Sequence, residues 1–205
     1  MQARSLSRIA GASYIIIFFS AIFANFFVLE ALTAAPLETV AQNSLAVRFG
    51  IVAFLITVVF DVVVAWALYV LYKEHNYSLL STLFRMMHAA IMGVAIFALP
   101  AVLKLSSKED ILDHVNSFNT IWLIGLFFFG IHLILLSKIV NTPKFIKLFL
   151  SLAGIMYMVD TLAHFVIPSY VDYATLFLTL VAIPSIFGEM SLAVWLLLKG
   201  DKNNP

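Results

Sequence analysis

The chain contains no cysteine. Disulfides, thiolate metal ligands and thiol catalysis are excluded by that alone, and no redox compartment can be inferred. Charge is scarce as well. Asp, Glu, Lys and Arg make up 11% of the 205 residues, whereas a soluble domain carries about 25%. Too little polar material is present to build a water-facing surface, so a soluble fold is excluded. A formal net charge of +1 gives no basis for nucleic-acid binding. The long apolar runs also lack the alternation of polar and apolar residues that a transmembrane β-barrel requires.

What the sequence has in abundance is hydrocarbon: 63% of the residues are hydrophobic and 14% aromatic. Six apolar runs stand out, at about 9–31, 49–72, 79–103, 117–140, 145–167 and 173–198. About 20 apolar residues in a helix cover the ~30 Å hydrocarbon layer of a bilayer. The fold class is therefore all-α, a polytopic membrane protein in which residues 1–205 form a single transmembrane domain of six helices. Short connections make successive helices antiparallel neighbours. The first run follows Arg4 and Arg8 and precedes Thr33-Ala34-Ala35, as a signal peptide would. Its apolar core exceeds the 7–15 residues of a cleavable segment, so an uncleaved first helix is expected.

Lys and Arg fall unevenly between the two sides. Arg4, Arg8, Lys73, Lys138, Lys144, Lys147, Lys199 and Lys202 collect on one, and Arg48, Lys104 and Lys108 on the other. By the positive-inside rule both termini are cytoplasmic. The stretch from Lys108 to His114 reads as a helical turn at the outer surface, and Pro100 as the end or a bend of the third span.

Within the runs, ionisable side chains are the exception that calls for explanation, because each costs roughly 3 kcal/mol at the bilayer centre. Asp61 lies near the middle of the second run and Asp160 near the middle of the fifth. Arg85, His132 and Glu189 are expected in the cytoplasmic half. Five of the six helices contribute such a group, so they are expected to converge in the bundle interior as one polar centre: Asp61, Arg85, His132, Asp160 and Glu189. Arg85 stays charged and its fork fits a carboxylate, so its pairing is expected with Glu189 or Asp61. Asp160 and His164, four residues apart, can pair locally. Pro184 frees the carbonyl of residue 180 and should kink the sixth helix about a turn before Glu189. Secondary candidates are Asn25, on a face with Tyr14 and Ala21; His88, on a face with Ser81 and Arg85; and Tyr157, His164 and Ser185. His132 is the candidate proton relay at the level of Glu189.

Phe84-Arg85, Phe128-Phe129-Gly130-x-His132, Tyr157-x-x-Asp160 and the segment from Glu189 through Leu-Ala-Val-Trp-Leu-Leu-Leu-Lys-Gly together resemble the bacterial family called domain of unknown function 4386. The resemblance covers nearly the whole chain. It implies a six-helix protein of the inner membrane and brings no assigned activity with it. Asp61, Arg85, His132, Asp160 and Glu189 match the family's polar pattern, whereas His88 stands where an amide is expected.

Three functions compete. One is a small-molecule, proton or cation binding or transport protein whose pocket opens to the cytoplasm, for which buried acids and a kinked helix are the usual equipment. No inverted repeat supports it, although a homo-oligomer of six short helices would suffice for a pore or carrier. A structural or accessory subunit, with the polar groups holding helices in register, is the second. The third is an intramembrane metal-dependent lipid hydrolase. It has three His and three carboxylates to draw on, yet no HExxH and only Asp160/His164 at ligand spacing on one helix. Enzyme activity is therefore disfavoured and no metal or other cofactor is expected. The expected partners are the lipid bilayer and an unidentified small molecule or ion.

Overall fold

The computed structural model describes residues 2–200; Met1 and residues 201–205, including Lys202, lie outside the described part. All regular structure there is helical. Six helices are long and apolar enough to cross a membrane: Ala3–Ala34, Ser44–Tyr72, Ser78–Val102, Lys108–Ile139, Lys144–Val166 and Tyr170–Leu198. They are called the first to sixth spans below. A short helix, Pro36–Gln42, joins the first two and begins on its proline, where the missing N–H is no loss.

Several spans outrun the apolar runs that announce them. The Lys108–His114 stretch is not a separate surface turn: it forms the first turns of a continuous 32-residue helix. At 1.5 Å per residue that helix is about 48 Å long, so its charged start projects beyond the hydrocarbon. Ser107 caps it by accepting from the Asp110 N–H at 3.4 Å, and Glu109 and Asp110 lie at the positive end of its dipole. The third span does break near Pro100: the helix ends at Ile96 and resumes as Leu99–Val102.

Glycine sets how closely the helices approach. A β-carbon placed on Gly130 would lie 2.5 Å from the carbonyl oxygen of Gly154, and one on Gly154 would lie 2.5 Å from that of Gly130. The fourth and fifth spans therefore cross backbone to backbone, as small residues allow in membranes. Gly11 brings the first span against the sixth in the same way, since its β-carbon would meet the Ala193 carbonyl at 2.7 Å. The Ser7 hydroxyl adds a hydrogen bond to the Leu196 carbonyl, 2.9 Å away.

The core has two parts with different membership. At the end carrying the termini, Leu6, Tyr14, Leu68, Leu133, Leu150, Leu192 and Leu196 join in one cluster. At the opposite end the cluster of Val28, Val47, Phe54, Ile96, Val102, Val115 and Phe118 draws only on residues before the fifth span. The first half of the sixth span, Tyr170–Ser185, packs on the fifth, and only Val181, Pro184 and Ser185 are buried along it. Its other end packs on the first span. The sixth span thus touches the first along Ile186–Leu198, whereas Tyr170–Ser185 packs on the fifth span instead.

Candidate functional site

Arg85 is the organising side chain. It is 1% exposed, yet it extends from the third span to three others. Its Nη2 donates to Asp61 Oδ1 on the second span at 2.6 Å. Its Nη1 donates to the Tyr14 hydroxyl on the first span at 2.7 Å and to His132 Nε2 on the fourth at 3.2 Å. The guanidinium also lies 4.8 Å from the Tyr14 ring centre and 5.3 Å from that of Phe129. Its Nε is buried without a hydrogen-bond partner.

These contacts fix a tautomer. Arginine only donates, so His132 Nε2 must accept and the imidazole is neutral with its proton on Nδ1. That proton points to the Ser81 carbonyl, 2.9 Å away. His88 donates from Nδ1 to the Gly125 carbonyl at 3.0 Å. Its Nε2 is 3.6 Å from Asp61 Oδ2, too far for a hydrogen bond.

Pairing with Asp61 fulfils one of the two expected options. Glu189 is not in the ion pairs found among the described residues, so the Arg85–Glu189 option is corrected. The expected difference in depth between Asp61 and Arg85 does not keep them apart. Asp61 is 11 residues from Tyr72 and Arg85 is 7 from Ser78, which differ by about 6 Å of helix rise. The long arginine side chain spans that difference.

Beside Arg85 lies a cavity of about 710 Å³ lined by residues of all six spans, most of them from the first and sixth. Glu189, Tyr157 and Ser185 are on the wall contributed by the fifth and sixth spans. Glu189 occupies a π-helical segment, Ile186–Met190, that begins two residues after Pro184, so the expected distortion extends through the acid. Ser185 answers part of the opened backbone by donating to the Val181 carbonyl at 2.7 Å. The first span has a matching π-helical segment at Phe23–Leu29, within which the Asn25 amide donates to the Ala21 carbonyl at 2.9 Å. π-Bulges of this kind gather at functional sites.

Asp160 stands apart from the arginine centre. Its Oδ1 accepts from the Tyr170 hydroxyl at 2.5 Å, which ties the fifth span to the start of the sixth. The expected Asp160–His164 pair is therefore replaced: His164 packs edge-on against Tyr170, centroids 4.7 Å apart, and its Nδ1 is buried unpaired. His132 Nε2 is taken up by Arg85, which itself lines the cavity with Glu189. The five residues expected as one centre thus divide into Asp61, Arg85 and His132 around the arginine, with Glu189 on the facing wall and Asp160 further out. No group of three His, Asp or Glu side chains suited to a metal occurs among the described residues.

Sequence reasoning missed Tyr170 and Glu30, both on the cavity wall. Tyr170 precedes the last apolar run and carries no local signal beyond following Pro168. Glu30 reads as part of the exit from the first helix. The cavity also opens the other way from the expectation: Glu30, Thr33, Asn119 and Tyr170 place its polar rim at the end opposite the termini.

Fold and site define a six-span α-helical membrane protein with a buried arginine–carboxylate centre at the base of a cavity. The chain belongs to the family described as domain of unknown function 4386, whose sequence profile matches residues 9–200. It is similar to an uncharacterized protein of the archaeon Archaeoglobus fulgidus, 32% identical over 160 residues that cover 75% of this chain and 85% of the relative. No solved structure gives a significant match.

Proposed function

We propose that this protein binds a small molecule inside the membrane, as a receptor or carrier, in the cavity lined mostly by its first and sixth spans. The observation that carries this reading is the cavity itself. At about 710 Å³ it falls within the range of about 300–1,000 Å³ typical of ligand sites, which combine apolar walls with a few convergent polar groups. The Lys and Arg bias supports cytoplasmic termini and a cell membrane as the location, and in that orientation the polar rim faces outward.

A structural role has its own support for part of the network. Arg85, Asp61, Tyr14 and His132 join four spans with short hydrogen bonds, as a register-fixing cluster would. Glu189, Tyr157 and Ser185 belong to the opposite wall, and that task does not need them. Mass spectrometry of small molecules extracted from the purified protein tests the reading. Wild type should carry a species that is lost from Ala21→Trp, which fills the cavity. Identical profiles would count against it.

A further inference from the structure

The cavity has two rims of opposite chemistry. Glu30, Thr33 and Asn119, all exposed, form a polar rim at the end of the bundle. Phe26, Leu178 and Ile186 line the same cavity yet are 57%, 56% and 49% exposed. They lie on the first and sixth spans, at the level where those helices diverge. These three form an apolar lip that faces the surrounding lipid, since hydrocarbon is what covers the exposed apolar surface of a membrane span. Below that level the gap is closed by Gly11 against Ala193 and by the Ser7–Leu196 hydrogen bond. A molecule crossing the lip is thereby led toward the buried polar groups and no further.

The charge on the wall is one-sided. Glu30, Asp61, Asp160 and Glu189 line the cavity with one arginine, Arg85, and two histidines, His88 and His164, and Arg85 is already answered by Asp61 at 2.6 Å. An anionic head group would meet three carboxyl groups and an arginine with its charge spent. A cationic head group would meet Glu189 beside the Tyr157 ring on the same wall, an aromatic that can attract a cation, while the Tyr14 and Phe129 rings already lie against Arg85. Phe18, Leu126 and Ile17 supply an apolar wall for a chain attached to that head.

We infer that the cavity takes a single-chain cationic amphiphile, which enters sideways from the lipid between the first and sixth spans and places its ammonium head against Glu189. This rests on the reading of the cavity as a ligand site.

The test uses full-length protein in lipid nanodiscs and a built-in reporter. Trp122 lines the cavity, and the Trp66→Phe/Trp195→Phe variant leaves it as the sole tryptophan of the three. Bromododecyl-trimethylammonium should quench Trp122 saturably, and bromododecyl sulfate should quench it only in proportion to its partitioning into the lipid. Glu189→Gln should weaken the ammonium binding about tenfold, the effect of about 1.4 kcal/mol, and Glu189→Asp should restore part of it. Leu178→Arg, at the lip, should slow association, while Thr33→Arg, at the polar rim, should leave it unchanged. Phe26→Arg serves the same purpose if Leu178→Arg does not fold. Saturable binding of the sulfate instead, or no effect of Glu189→Gln, overturns the cationic class but keeps the cavity as a ligand site. Slowing by Thr33→Arg alone overturns the lateral route. Saturation by neither probe overturns this inference, whereas the extraction experiment judges the broader reading separately.

Discussion

Replacing Arg85 with methionine removes the one cation at the centre of the bundle and leaves Asp61 buried, with His88 3.6 Å away as its nearest ionisable neighbour. Removing one partner of a buried ion pair costs about 3–5 kcal/mol, because the other charge is left uncompensated. The Tyr14 hydroxyl and His132 Nε2 lose their donor at the same time, which places Arg85→Met near the upper end, about 4–5 kcal/mol. Asp61→Asn is milder. The amide keeps an acceptor facing Nη2, and Arg85 keeps Tyr14 and His132, so about 2–3 kcal/mol is expected. The double variant buries no unpaired charge and should cost about as much as Arg85→Met alone, giving a coupling of about 2–3 kcal/mol. Reversible unfolding in mixed micelles, followed by circular dichroism, measures all three. Arg85→Met combined with Glu189→Gln should show a smaller coupling than the Asp61 pair, since Arg85 forms its ion pair with Asp61 and none with Glu189 is found among the described residues. A coupling below about 0.5 kcal/mol for Asp61, or a larger one for Glu189, would refute this account of the centre.

The glycine crossings offer a second test: Gly154→Ala should destabilise by about 1–3 kcal/mol through overpacking against the Gly130 carbonyl. Gly93→Ala, where an added β-carbon meets nothing within 4 Å, should be neutral or slightly stabilising in the same unfolding assay. Tyr170→Phe removes the hydroxyl that binds Asp160 at 2.5 Å and should loosen the start of the sixth span, seen as faster amide exchange across 170–178. Because the chain has no cysteine, single cysteines report topology without background. Those replacing Asp110 and Asp172 should label from outside intact cells and those replacing Lys73 and Lys144 should not, with the reverse pattern overturning the cytoplasmic termini.

Hydropathy alone determined the number, order and approximate length of the helices, because in a bilayer every span must satisfy its backbone internally and clothe it in apolar side chains. The same rule made each buried charge conspicuous, so Asp61, Arg85, His132, Asp160 and Glu189 were all legible as residues needing partners. Which partner each one has was not legible. Spacing along a helix reports neighbours three and four residues away, and the decisive contacts here run between helices 24 and 71 residues apart in sequence. Asp160 illustrates the limit: His164 was within local reach, yet the bond comes from Tyr170 across the loop. The cavity is likewise a tertiary fact. It exists because the second core cluster stops at the fourth span and the sixth leans on the fifth, leaving a gap beside the first. No property of an individual helix encodes that divergence; it is set by where glycines let pairs of spans touch and where larger side chains hold them apart.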